Sequence, residues 1–405
     1  MCAQSRKFWQ DNTFFGIASL LAGVFNYLYH VVLARVLGPG DYGDLAALLN
    51  VTALMMLPGP VVTLLYTRLG RRRPSRAIQE SWLLWFSGVG LWLLLALLSR
   101  PLARALYVSP LLLIIFTLEI VPALALSANL GILQRVRWYF WVGLLTVLIT
   151  AFRIVAAALA AFLHVWPLTT VGFLEGLAAF VAFGFSRQWA SRAPWVGEPP
   201  KAQVISGTAV VGVINVLLAI ADGLLAKHFL APIAAGRFNG LATIGHTVQF
   251  ISTSFGTVML TSIMQDSTKR LRFLSMTILL YAGLAGLAET LFMIRPTWVI
   301  MTVLGTGFRP AARWLPYYGW GMIALGFINI AMLYSVALKR WEAITTTGLG
   351  LIVWVIRLSH AHTIGEFVRS TTTTLVAALL ATVVVMMAAK AYGRWRGPVA
   401  RRIRV

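Results

Sequence analysis

At 405 residues, 59% hydrophobic and only 11% charged, the chain is too poor in charge for a soluble globular protein, which carries about 25%. Its 34 Lys and Arg against 12 Asp and Glu give a formal charge of +22. The basic residues fall mostly in short stretches between apolar runs, which argues for membrane orientation and against nucleic acid as a partner. The single cysteine, Cys2, excludes a disulfide framework and a thiolate metal centre.

Apolar runs of roughly 18 or more residues, each able to cross a bilayer as a helix, recur from end to end. They predict an all-α polytopic membrane protein with about twelve transmembrane helices, in two pseudo-symmetric six-helix bundles. In chain order the spans are expected near 13–37, 44–69, 78–99, 109–133, 138–163 and 167–187, then 203–230, 236–264, 272–294, 312–338, 342–363 and 367–391. Arg6 and Lys7 precede the first span, and no Ala-x-Ala site follows it, so a retained anchor is expected rather than a cleaved signal. Residues 1–190 would form the N-terminal bundle. Residues 191–202, rich in Pro and Gly, would be a cytoplasmic linker. Residues 203–405 would form the C-terminal bundle with a basic cytoplasmic tail. Placing both termini in the cytoplasm puts about two-thirds of the Lys and Arg inside, as the positive-inside rule requires.

Proline breaks the helical pattern at Leu57-Pro-Gly-Pro60 and at Pro122. Each removes a backbone donor, so each is either a static bend or a hinge beside a wet cavity.

Ionisable residues inside spans are costly and mark bundle interiors or pathways. The N-terminal half offers His30, Arg35, Glu119, Arg153 and Glu175. At a rise of about 1.5 Å per residue, Glu119, Arg153 and Glu175 fall at similar depths. Arg153 is expected to pair with one carboxylate, leaving the other as a candidate for a coupling ion, H+ or Na+. The C-terminal half offers Asp222, Lys227, His246 and Glu289, and Asn26 joins His30, His246 and Glu289 as candidate cavity polar groups. Arg35 and Lys227 follow the same Leu-Ala pair in each half, and two such cations suit a multivalent oxyanion such as diphosphate. The alternative is a pair of interfacial anchors. Trp82, Trp85, Trp298, Trp314 and Tyr317 read as an interfacial aromatic belt.

No metal-ligand spacing and no phosphate-binding loop is present. The outer loops are short, with few carboxylates beyond Asp41, Asp44 and Glu366, so no enzyme activity, catalytic residue, metal or organic cofactor is expected.

Two segments echo each other: Leu33-Ala-Arg-Val-Leu-Gly-Pro-Gly-Asp-Tyr-Gly43, and Asp222-Gly-Leu-Leu-Ala-Lys-His-Phe-Leu-Ala-Pro232 with Ala235-Gly-Arg-Phe238. On these motifs the chain resembles the polysaccharide-biosynthesis branch of the multidrug/oligosaccharidyl-lipid/polysaccharide exporter (MOP) superfamily. The resemblance implies two six-helix bundles around a V-shaped cavity, working by alternating access. It also implies flipping of undecaprenyl-diphosphate-linked oligosaccharide to the outer leaflet of the bacterial cytoplasmic (inner) membrane, for cell-surface polysaccharide export. Arg35 and Asp41 are carried over from the first motif, Asp222 and Lys227 from the second. The implied partners are the lipid-linked oligosaccharide, membrane lipids and polysaccharide-assembly enzymes. The alternatives are ion-coupled multidrug extrusion and, more remotely, a membrane-embedded sugar polymerase.

Overall fold

The computed structural model describes residues 2–69, 74–163, 166–194, 205–265 and 267–402. Among these it is all-helical, without a strand. The first helices are α1 (Cys2–Met55), α2 (Pro58–Leu69), α3 (Pro74–Leu97), α4 (Ser99–Leu106), α5 (Pro110–Phe116), α6 (Ile120–Arg135), α7 (Tyr139–Leu163) and α8 (Pro167–Ser191). They are followed by α9 (Ile205–Phe229), α10 (Pro232–Gln265), α11 (Arg270–Ile294), α12 (Pro296–Leu304), α13 (Leu315–Ala337), α14 (Glu342–Leu358) and α15 (Ile364–Arg402). The chain separates into two compact units, Met1–Gly212 and Val213–Val405, with the division inside α9. Residues 195–202 of the expected linker fall outside the described residues, as do residues 70–73 of the basic cluster.

Eight helical segments among the described residues are long and apolar enough to cross a membrane; the bent pair formed by α3 and α4 would make a ninth. One of them, Leu21–Thr67, runs through two of the expected spans. The chain is thus a multi-pass membrane protein. Two segments expected to span are neither among the eight nor in the bent pair. One is α10, whose length is broken by Asn239, His246, Gln249 and Ser252; the other is α14, which has 17 residues.

Proline and glycine decide where the helices break. A six-residue turn was expected after Leu37, but helix resumes almost at once. Gly38 alone departs, at φ 67°, a conformation that costs glycine little. Pro39 then opens the next stretch, where a missing N–H is harmless. The Leu57-Pro-Gly-Pro60 break is present: α1 ends at Met55 and α2 starts at Pro58. The span expected over 109–133 is not continuous. Its α-helical course gives way to a 3-10 turn at Thr117–Glu119, and α6 begins at Ile120. Pro122 lies two residues later, where its ring would crowd the carbonyl of Leu118 in a regular α-helix. At Leu98 the axis turns by 62° into the short α4. The segment between α11 and α13, expected to be a loop, holds α12 and a nine-residue 3-10 run, Thr306–Trp314.

Small residues let the helices touch. At Gly131 on α6, an added methyl would meet Tyr66 Cβ at 2.8 Å and the Thr67 backbone nitrogen at 2.9 Å on α2. Thr63 Oγ1 donates to the Ser127 carbonyl at 3.0 Å across the same interface, and Thr67 Oγ1 donates to Gln134 at 3.1 Å. Interfaces of this kind carry helix association in lipid, where no hydrophobic effect separates helix from solvent. Since the obstacle includes backbone, Gly131→Ala should cost about 1–3 kcal/mol, read as a lowered unfolding midpoint in detergent. Gly90→Ala, with open space around it, should leave that midpoint unchanged. In the C-terminal unit, α13 is buried almost all round, including Tyr318, Met322, Leu325, Ile328 and Asn329. A helix apolar on every side belongs in the centre of a bundle.

Candidate functional site

In the N-terminal unit, α1, α7 and α8 bring together the ionisable residues expected to lie at one depth. Arg153 on α7 pairs with Glu175 on α8, Nε to Oε1, at 3.5 Å. The same guanidinium donates from Nη1 to Asn26 Oδ1 on α1 at 3.2 Å and sits 6.0 Å from the Tyr29 ring centre. Glu175 is buried to 1% side-chain exposure, while Arg153 keeps 26%. Glu119 makes no ion pair among the described residues, yet it is close enough for Arg153 and Glu175 both to act on it electrostatically. His30 Nδ1 and Tyr42 Oη are 3.1 Å apart across the Gly38 break, so the histidine ties the two stretches of α1 together. Arg35 and Asp41 are both exposed.

In the C-terminal unit, α9, α10 and α13 assemble a second buried set. Asp222 Oδ2 accepts a hydrogen bond from Tyr318 Oη and lies 3.5 Å from His246 Nε2. Tyr318 Oη and His246 Nε2 are 3.2 Å apart, and Asp222 Oδ1 accepts the Gly223 N–H at 2.7 Å. Asp222 and Tyr318 are fully buried. The Tyr318 ring packs closely against Gly245, where an added Cβ would overlap it. Lys227 is buried, at 1% exposure, in contrast to exposed Arg35 at the matching place in the other motif. Deeper in the same unit, Asn215 Nδ2 donates to Asn329 Oδ1 at 2.9 Å. Asn329 Nδ2 in turn donates to Ser252 at 3.1 Å and Thr253 at 3.3 Å. Glu289 on α11 is 2% exposed, and neither carboxylate oxygen has a hydrogen-bond partner among the described residues; it packs over Gly319. No group of three or more His, Cys, Asp or Glu able to hold a metal ion occurs among the described residues.

No known family profile matches the chain, and no curated protein sequence matches it. Solved structures do. The lipid II flippase MurJ in an inward closed conformation superposes with a TM-score of 0.72 at 14% identity, over 92% of this chain and 87% of that one. An inward-facing multidrug resistance MATE transporter of the MOP superfamily gives 0.68 at 12% identity, over 95% and 96%. A MOP superfamily transporter from Pyrococcus furiosus gives 0.58 at 16%, over 95% of each. The chain has the MOP transporter fold.

Within that MOP fold, the residues that complete each polar set are ones the sequence did not single out. Tyr29 and Tyr318 are tyrosines buried to 0% exposure beside ionisable groups. Tyr318 directly follows Tyr317, which reads as part of an interfacial belt, and Tyr29 lies within the first expected span. The structure separates the neighbours: Tyr317 and Trp320 are exposed while Tyr318 is buried. Trp314 makes specific contacts as well. It packs on Gly365 with the Arg313 and Arg369 guanidiniums 5.2 and 5.5 Å from its ring centre.

Proposed function

We propose that this protein is a membrane transporter of the MOP type that flips a lipid-linked oligosaccharide, carried on undecaprenyl diphosphate, from the inner to the outer leaflet by alternating access. The full reading has twelve spans in two six-helix halves, both termini in the cytoplasm of a bacterial cell and polysaccharide-assembly enzymes working alongside. The observation that carries it is the state of the charges. Arg35 stands exposed at the end of the first stretch of α1, and Arg153 keeps a quarter of its side chain open although Glu175 faces it. Two accessible guanidiniums on membrane helices suit an anionic head group. The likeness to a lipid II flippase across nearly the whole chain supports the same reading. Arg35 meets the diphosphate; Lys227, folded into its own unit, contributes less.

That difference gives a test. Binding of undecaprenyl diphosphate to the purified protein should weaken at least tenfold in Arg35→Ala, as expected for loss of one charge-assisted contact of about 1.5–3 kcal/mol. Lys227→Ala should change it by less. Equal affinity in wild type and Arg35→Ala would remove the diphosphate site from Arg35.

A second reading, proton- or sodium-coupled multidrug extrusion, has its own support. Glu119 and Glu289 make no ion pair among the described residues, and such carboxylates are what a cationic drug or coupling ion requires. MATE transporters also match over most of the chain. Energised efflux of a cationic dye that fails in Glu119→Gln, with no lipid flipping, would establish it in place of the first reading.

A further inference from the structure

One end of the C-terminal unit carries a cluster of arginines that neither reading above uses. Four arginines come from three elements that touch there: Arg237 from α10, Arg309 and Arg313 from the 3-10 run Thr306–Trp314, which contacts both helices, and Arg369 from α15. None of the four makes an ion pair with a described carboxylate. The acid in their midst, Glu366, is already engaged. Its Oε2 accepts the backbone N–H of His362 at 2.8 Å and of Thr363 at 3.3 Å, while Thr363 Oγ1 accepts the Glu366 N–H at 3.2 Å. This reciprocal capping box holds the first turn of α15 and spends the carboxylate on backbone.

The cluster is built into the backbone. A 3-10 helix rarely runs beyond three or four residues, so a run of nine must be held from outside. It starts at Gly305, with φ 98°. Phe308 is buried against Gly240, where a Cβ would come within 2.6 Å of its ring, and Ala311 and Ala312 are buried too. Arg237 Nε donates to the Gly307 carbonyl at 3.1 Å. Trp314 closes the run by packing on Gly365, its ring centre 5.2 Å from the Arg313 guanidinium and 5.5 Å from that of Arg369. The buried positions fix the segment, and Arg309 and Arg313 are its charged side chains and are exposed.

Secondary structure does not account for these charges. Arg357 lies in the last turn of α14, and Arg295 ends α11 while also preceding α12; at a helix C-terminus a cation complements the dipole. Arg237 and Arg369 are each the sixth residue of their helix, beyond the terminal turn in which the dipole acts, so it does not account for their charge. Four like charges within one patch repel one another, and the cation–π contacts at Trp314 offset only about 0.5–1 kcal/mol each at an exposed site. Exposed Trp298, Tyr317 and Trp320 belong to the same end of the unit and set it at membrane-interface depth. Under the orientation proposed above it is the outer end, where basic residues are normally scarce.

We infer that Arg313 and Arg369 beside Trp314, with Arg237 and Arg309 on the elements that meet there, form a binding site for the phosphate of a membrane-anchored anionic lipid. Guanidiniums grip phosphate oxygens through paired N–H donors, and the neighbouring aromatic rings lie beside the glycerol or prenyl portion. The head group supplies the negative charge that the protein itself withholds.

Native mass spectrometry of the full-length protein in detergent tests this, with phosphatidylglycerol, undecaprenyl phosphate and phosphatidylcholine added separately at matched concentrations. Wild type should retain an anionic lipid at least tenfold better than phosphatidylcholine. Arg313→Gln/Arg369→Gln should lose at least tenfold of that retention. Arg309→Gln, a change at an exposed side chain that leaves the packing alone, should lose several-fold. Arg295→Gln, at a helix C-terminus, should stay within twofold of wild type. Similar retention of both anionic lipids assigns the site to bulk phospholipid, and retention of undecaprenyl phosphate alone assigns it to the prenyl carrier. Retention of phosphatidylcholine equal to that of the anionic lipids would overturn the inference. So would anionic-lipid binding that is unchanged in both Arg309→Gln and the double variant. Because no transport is measured, the outcome is independent of whether the protein flips lipid or extrudes drugs.

Discussion

Arg153→Met should destabilise the N-terminal unit by about 3 kcal/mol, near the lower end of what breaking a buried ion pair costs. The figure belongs at the lower end because Arg153 is 26% exposed and its charge is already partly hydrated. The penalty comes mainly from the partner. Glu175 has 1% side-chain exposure, and neither of its oxygens has a hydrogen bond among the described residues, so removing the cation leaves a carboxylate stranded between α7 and α8. Asn26 loses its guanidinium donor at the same time. The double variant Arg153→Met/Glu175→Leu should recover most of the loss, since replacing both members with apolar groups removes the desolvation cost along with the attraction. Thermal unfolding in detergent of the two single variants and the double decides this. Additive losses in the double variant would mean that the pair is not coupled and that Arg153 acts through packing alone.

Tyr318→Phe should have the next largest effect, in the other unit. It deletes one oxygen and alters no packing volume, yet that oxygen meets both Asp222 and His246. A buried hydrogen bond to a group that carries or shares charge is worth about 1.5–3 kcal/mol. Here the tyrosine and aspartate are both fully buried, so water cannot replace the lost partner. His246 stays near Asp222 Oδ2, at 3.5 Å, and its Nδ1 has no hydrogen-bond partner among the described residues. Asp222→Asn should interact with Tyr318→Phe non-additively, because the two residues share one network. A double-variant loss equal to the sum of the singles would show that Asp222 and Tyr318 contribute separately.

Much of this architecture is legible in the sequence because membrane helices obey strong rules. Apolar length marks the helices, and the proline at 58 marks a break. The comparable depth of Glu119, Arg153 and Glu175 follows from helical rise alone. Which carboxylate Arg153 chooses does not follow, since it depends on how α7 rotates against α8. The same reason hides Tyr29 and Tyr318: a tyrosine at an interface and a tyrosine inside a polar network have the same local sequence. Gly38 shows a second limit. Its neighbours Pro39 and Gly40 suggest an open turn, but one residue with positive φ is enough to redirect the helix. The run Thr306–Trp314 shows a third. It is short, polar on average and interrupted by Gly307 and Pro310, so it reads as a loop, and its packing against Gly240 and Gly365 is what makes it ordered structure. Arg35 and Lys227 occupy matching places in two similar motifs, yet one is exposed and the other buried, a difference that the motifs themselves do not encode.

Transfer of a fluorescent undecaprenyl-diphosphate disaccharide across proteoliposomes, followed by a membrane-impermeant quencher, is the most direct test of the transport reading. Wild type should expose the inner-leaflet lipid to the quencher well above the rate in protein-free vesicles, and Arg35→Ala should slow that transfer at least tenfold. Well-folded wild type no faster than empty vesicles, with and without proton and sodium gradients, while the same preparation extrudes a cationic dye, would contradict it.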